Sequence, residues 1–253
     1  YAMGFPDTPP TGMGPLYSDF AAPYFAASAI LAALHHRNQT GEGQFIDLAQ
    51  FQATASLLGP ALLDYSANGT IPDRPGNTHP DVAPHGVYPA RQESHSADRW
   101  ISLAIETDDQ WKDFFSLMGE PASLRGPQYE TIQGRIRNRD RIDAEIGKWT
   151  SQYQTHALTE VLQAAGIPAG AVQDLHDLIT TDTEFAAAHF ELMPDRAGNV
   201  EYTTHRQPVR LNEQTAQMQR APTFGEHNYE IYTTLLGYSD AEYAELVSRG
   251  IVR

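Results

Sequence analysis

"YSDFAAPYFAASAILAALHHRNQTGEGQFIDLAQFQ", Tyr17 to Gln52, is the stretch that decides the reading of this chain. Its Ala-rich apolar run predicts a helix that begins near Pro23, a residue suited to a first helical turn. His35, His36 and Arg37 supply cations for the last turn, and Gly41 stands where a helix stops. Phe45–Gln50 alternates briefly like a short strand, and the run that follows reads as a second helix broken around Gly59-Pro60. Asp19 is the one acidic residue between Asp7 and Glu42. As a cap or turn residue it is worth about 1 kcal/mol, but a cap belongs directly before the first helical residue. As a nucleophile it sits at a positive helix end that keeps it ionised, with Ala21, Ala22 and Ala26 leaving room for a substrate. On residue chemistry alone both readings stand.

Outward from this segment, Gly69 to Pro84 is a Pro/Gly-rich linker. Beyond it, "HGVYPAR" and "RWISLAIE" predict the strands of a hairpin around polar "QESHSAD". "TDDQWKDFFSLMG" predicts a capped helix with Thr107 as N-cap, Trp111, Phe114, Phe115 and Met118 inward, and Gly119 as stop. Two more amphipathic helices follow in "NRDRIDAEIGKWTSQY" and "THALTEVLQAAG", then a buried strand-like run in "IPAGAVQDL". "DLITTDTEFAAAHF" reads as a helix and "GNVEYTTHRQPVRL" as strand. The tail reads as two helices separated by Gly237-Tyr238-Ser239. Helices alternating with short strands make the fold class α/β.

Composition removes several classes of function. The chain has 253 residues, a net charge of −15 and two lysines, Lys112 and Lys148. Nucleic acid and anionic membrane surfaces both require clustered cations that this balance lacks. The apolar run Pro23–Leu34 is too short to span a bilayer. Without cysteine there is no disulfide, thiolate metal site or cysteine nucleophile, and a reducing cytoplasm is the expected setting. The sequons at Asn38 and Asn68 are read as chance matches.

Most catalytic signatures are absent: no Walker loop, dinucleotide glycine fingerprint, H-E-x-x-H or G-x-S-x-G. His35 and His36 diverge by about 100° on a helix, so no metal site is expected. "RIRNRDR", Arg135 to Arg141, is read as a solvated loop and helix start rather than a phosphate site.

The opening segment resembles the signature of the class III (family III) CoA transferases, the group named for carnitine dehydratase and the bile-acid-inducible protein. The resemblance rests on Asp19, the Ile30–Leu34 helix, Arg37, Thr40-Gly41, Gly43-Gln44 and Asp47-Leu48. It continues in order through "RPGNTHPDVAPHGVYPA", "GIPAGAV" and "RAPTFGEHNYEIYTTLLGYSDAEYAELVSRGIV". One short motif would be weak evidence; four collinear segments are strong.

The resemblance implies that Asp19 attacks an acyl-CoA thioester. CoA thiolate then converts the mixed anhydride to an aspartyl-CoA thioester, from which an acceptor carboxylate takes the CoA. Acyl-CoA and a small carboxylic acid are the implied partners, with coenzyme A as co-substrate and no tightly bound cofactor. His85 and Gly86 are implied substrate-site residues, although His85 is equally read as an ordinary loop histidine. Gly86 alone stands where some members carry a run of lid glycines. An α-methylacyl-CoA racemase branch shares the fold and the aspartate, which there moves a proton. A non-catalytic assembly domain is the reading from another class.

The implied architecture is part of a split, nucleotide-type large domain (1–65 and 189–253) with an inserted small α/β domain (76–188) after a linker (66–75). An interlocked homodimer, or a complementing chain, is expected. The chain opens on Tyr1 inside a Gly/Pro-rich loop, and the resemblance begins late. The expectation is therefore a C-terminal portion whose CoA-holding residues lie upstream, inactive by itself.

Overall fold

The computed structural model describes residues 4–12, 16–71, 73–93, 98–195, 201–212, 214–215 and 218–252. It divides into two compact units, 1–172 and 173–253. Helices dominate and the sheets are small, a mixed α/β chain as the sequence implies.

In the first unit, α1 spans Tyr17–Thr40 and ends at Gly41, whose φ of 80° is the left-handed cap. The helix starts six residues before Pro23, which corrects the sequence reading. Pro23 thereby falls inside the helix, where its missing N–H leaves the carbonyl of residue i−4 without an intrahelical donor. That carbonyl belongs to Asp19. The short strand expected at Phe45–Gln50 does not form: α2 begins at Gln50 and runs to Ser56. A strand needs a ladder partner, and among the described residues this segment pairs with none. The expected break appears between α2 and α3, Gly59–Asn68.

The hydrophobic core lies further along. Strands β1 (His85–Pro89), β2 (Trp100–Ala104) and β3 (Ala169–Val172) form one antiparallel sheet, with Gly86 opposite Leu103 and Ser102 opposite Gly170. Helix α4 (Asp108–Leu117) opens with the Thr107–Gln110 capping box, both halves of which close. It buries Trp111 and Phe114 against the sheet, with Phe115 and Met118 packed beside them. Helices α6 (Arg139–Thr150) and α7 (Thr155–Ala164) complete the layer by burying Ile142, Ile146, Leu158 and Leu162, while the short α5 (Ile132–Arg137) buries Arg135. By contrast, α1 to α3 leave Tyr24, Leu31, Phe51 and Leu63 exposed.

The basic run is neither solvated nor a phosphate site at its head. Arg135 is fully buried. Its Nε donates to the Ala83 carbonyl at 2.8 Å, its Nη1 meets the Asp108 carboxylate at 2.9 Å, and the guanidinium lies over Trp111. Four residues on, Arg139 donates to the carbonyls of His79 and Val82. A planar guanidinium with five N–H donors suits a loop whose carbonyls have no ladder partner. The run therefore ties down the loop 79–84.

In the second unit, the helix expected over "DLITTDTEFAAAHF" is split. A π-turn at Asp177–Thr181 precedes α8, Thr183–His189, because the Asp182 side chain accepts from the Phe185 amide and starts a new helix. β4 (Phe190–Pro194) pairs with β5 (Glu201–His205). α9 (Asn228–Glu230) runs on into a π-turn to Leu235, and α10 (Asp240–Ser248) starts from a Ser239–Glu242 capping box. The turn before α9 is closed by Arg220 and the Thr223 amide, both donating to Glu226. The Arg220 hydrogen bonds, then the Thr223 amide, hold the Glu226 carboxyl down at about 2. A depressed carboxyl contributes stability above its ordinary value near 4.5, and that contribution is lost as pH falls from there through about 2. NMR titration is expected to place the Glu226 midpoint near 2, with Arg220→Gln raising it toward the usual carboxylate range while the Thr223 amide still holds it below. An unmoved midpoint in the variant would contradict this account of the turn.

No helix among the described residues is long and apolar enough to cross a membrane.

Candidate functional site

Asp19 lies in the first turn of α1 and is exposed. Its amide donates to the Leu16 carbonyl at 3.0 Å, a tight first turn. α1 and α2 pack together, and the residue each buries is an alanine, Ala22 and Ala53. Such small side chains let two helices approach closely. That approach brings Gln50, the first residue of α2, to Asp19: its Nε2 donates to Oδ1 at 2.6 Å. One carboxylate oxygen is thus fixed by a neutral donor, and among the described residues no side-chain hydrogen bond engages the other. A carboxylate held this way keeps an oriented lone pair for attack or proton transfer. Gln50 escaped the sequence reading. It stood inside the quoted segment, but its contact with Asp19 spans 31 positions and depends on how two helices dock.

His85 and Gly86 lie elsewhere in the first unit, at the start of β1. They line a cleft of about 490 Å³ together with Asn77, Thr78, Ser102 and Gly170. Neither Asp19 nor Gln50 lines it, so the structure does not bring the two sets of candidates together there. His85 Nδ1 lies 2.8 Å from the Asn77 carbonyl. A carbonyl can only accept, so Nδ1 carries the proton and Nε2 of the neutral ring is left as an acceptor. Ser102 donates its hydroxyl to the Gly170 carbonyl at 3.1 Å, tying β2 to β3 at the floor. Among the described residues the lining contains no Lys or Arg. It suits an uncharged, hydrogen-bonding portion of a ligand rather than a phosphate.

Below the cleft, Tyr88 is buried and its hydroxyl donates to Asp143 Oδ1 at 2.7 Å. Burial, followed by the neighbouring Asp143 carboxylate, pushes the phenol well up from its ordinary value, so it remains a donor. Burial also pushes the Asp143 carboxyl up, while Tyr88 and Arg139 oppose that shift. Sequence reasoning assigned no role to either residue.

A cluster that has the ligand types for a metal occurs in the second unit, at Asp174, His176 and Asp177. Its carboxylates already serve the turn: the Asp177 amide donates to Asp174 Oδ1 at 2.9 Å, and the Asp174 amide to Asp177 Oδ2 at 3.2 Å. The His35–His36 pair belongs to no such cluster among the described residues.

The described residues thus offer a carboxylate oriented in the first turn of an Ala-rich helix and, apart from it, a cleft on a small sheet. Comparison with known proteins identifies the lineage. The model of CoA-transferase family III matches residues 1–228, and the chain belongs to that family. Succinyl-CoA--D-citramalate CoA-transferase of Chloroflexus aurantiacus is 29% identical over 250 residues, covering 98% of this chain and 61% of the relative. Succinyl-CoA:mesaconate CoA-transferase of Haloarcula marismortui is 31% identical over 230 residues, 90% of this chain and 56% of the relative. Among solved structures, a CAIB/BAIF family protein from Brucella suis superposes with a TM-score of 0.78 at 27% identity, over 92% of this chain and 59% of the other. The chain therefore spans about 60% of the length of these relatives.

Proposed function

We propose that this chain is the catalytic-aspartate portion of an acyl-CoA:carboxylate CoA transferase, with Asp19 as the nucleophile. The observation that carries the reading is the Asp19 carboxylate in the first turn of α1, oriented through Oδ1 by Gln50. Asp19 attacks the thioester carbonyl, and CoA leaves as thiolate to give a mixed anhydride. The thiolate then attacks the aspartyl carbonyl, expelling the donor's carboxylate and leaving an aspartyl-CoA thioester. The acceptor carboxylate attacks that thioester to form a second anhydride. The returning thiolate takes the acyl group from it and regenerates Asp19. A carboxylate is a weak nucleophile, so proximity must supply much of the rate. Water must be excluded, because anhydride and thioester both hydrolyse.

Acceptors of the kind named for the relatives, mesaconate and citramalate, are the class this reading assigns. His85 and Gly86 are assigned to the acyl end of the substrate, consistent with a cleft whose described lining residues include no Lys or Arg. The 3′-phosphate and diphosphate of CoA need several positive or N–H donors, and they are assigned to residues outside this chain. The exposed apolar side chains of α1 to α3 support a covering segment or second chain, in keeping with an interlocked dimer in the cytoplasm.

The test is transfer by the complete protein, with succinyl-CoA and a panel of small carboxylic acids, run in deuterated water. The reading expects a new acyl-CoA without deuterium at the α-carbon of either acid. Deuterium uptake without transfer would overturn it in favour of racemase-type proton transfer.

A further inference from the structure

Four residues of α6 point at one target. Arg139, Asp143, Gly147 and Thr150 follow one another at spacings of four, four and three, which places them on one helical face. Arg139 holds the carbonyls of His79 and Val82 in the loop that leads into β1. Asp143 accepts from the Tyr88 hydroxyl. The Pro89 ring lies 3.6 Å from the place where Gly147 would carry a Cβ, and Thr150 donates to the Pro89 carbonyl at 2.7 Å. This face thus grips the chain on both sides of His85 and Gly86.

The grip has a defined point of action. Tyr88 and Gly86 are two apart on a strand, so their Cβ directions share a face of the sheet. The phenol folds back across Gly86: its Cζ and Oη lie 3.0 Å from where a Gly86 Cβ would stand. Gly86 does not adopt a left-handed φ. A Cβ there would need the Tyr88 ring to give by a few tenths of an ångström, and the hydroxyl of that ring is anchored on Asp143.

We propose that Tyr88 and Asp143 are positioning residues for the His85–Gly86 wall of the cleft. Anchored by Asp143, the phenol fixes the height of the strand at Gly86, and with it the placing of His85, whose Nε2 is available as an acceptor. The inference uses the reading of this cleft as the acyl site for its kinetic consequence, and stands on the contacts alone for its structural one.

The test uses the complete protein with Tyr88→Phe, Asp143→Leu, Asp143→Asn and the double variant Tyr88→Phe/Asp143→Leu. Two signals are read: the ring-nitrogen NMR shifts of His85, and KM against kcat for the acceptor carboxylic acid. Tyr88→Phe and Asp143→Leu are each expected to move the His85 signals and raise KM about tenfold while kcat changes little. Asp143→Asn, which keeps an acceptor oxygen, is expected to stay near wild type, and the double variant to be no worse than either single. Should a variant fail to fold, Gly86→Ala with and without Tyr88→Leu asks the same question. The shortened side chain is expected to suppress the defect that Gly86→Ala causes alone. Unmoved His85 signals, with only the melting temperature lowered, would overturn the proposal, as would additive effects in either pair. If wild type transfers no CoA, the functional reading fails, and the His85 shifts still decide the positioning role.

Discussion

Asp19→Asn is expected to reduce CoA transfer by at least about a thousandfold in kcat, equivalent to about 4 kcal/mol of barrier. The amide matches the carboxylate in shape and can still accept from Gln50, but it has no anionic oxygen to attack a thioester. Asp19 is exposed, and its one side-chain partner among the described residues is the neutral Gln50. The variant should therefore melt within a degree or two of wild type, in line with surface substitutions generally. Gln50→Ala provides the graded comparison. It removes one orienting hydrogen bond, worth about 1 kcal/mol, so kcat is expected to fall only about fivefold. Retention of more than a few per cent of activity by Asp19→Asn would mean that the nucleophile lies elsewhere.

Arg135→Met is expected to produce the largest loss of stability, about 3 kcal/mol or more. The guanidinium satisfies the carbonyls of Ala83, Tyr129, Glu130 and Thr107, and meets Asp108. Methionine fills much of the volume but removes the side-chain donor to the carbonyls of Ala83, Tyr129 and Glu130, while the Thr107 carbonyl keeps the Trp111 amide. The cost of each unsatisfied group, about 1–3 kcal/mol, accumulates. Arg135→Lys should not rescue the fold, because one ammonium on a flexible stem cannot reach acceptors spread around a planar fork. Urea denaturation checks both variants. A loss below about 1 kcal/mol for either would show that the loop 79–84 is held by other contacts.

Most local structure was legible because its causes are local. The Thr107 and Ser239 capping boxes close within three residues, and Gly41, Gly119, Gly166 and Gly237 all take the positive φ that ends a helix. The hairpin partners β1 and β2 could be read from alternation and the polar connection between them. What failed depended on contacts distant in sequence. Pro23 suited a helix start, yet α1 begins earlier and carries the proline inside it. Phe45–Gln50 had a strand's alternation but no ladder partner among the described residues. Arg135 looked solvated because its neighbours are charged, while its Ala83 acceptor lies 52 residues away.

The candidate site divides along the same line. Asp19 stood out as an isolated charge in an apolar segment, and His85 and Gly86 through the family resemblance of the stretch around them. Gln50, Tyr88 and Asp143 gave no comparable signal, since a glutamine at a helix start or a tyrosine in a strand is ordinary until its partner is known. The partner of Tyr88 lies 55 positions away, on another element.

The central claim is that the Asp19 carboxylate becomes covalently acylated. The most direct measurement is to incubate the complete protein with an acyl-CoA donor and hydroxylamine, digest it, and analyse the Asp19 peptide by mass spectrometry. The aspartyl-CoA thioester should be captured as an aspartyl hydroxamate, the side chain heavier by one NH group, with CoA released as thiol. Transfer activity should fall in step with that modification. An unmodified Asp19 in a protein that remains fully active through many turnovers would contradict the account.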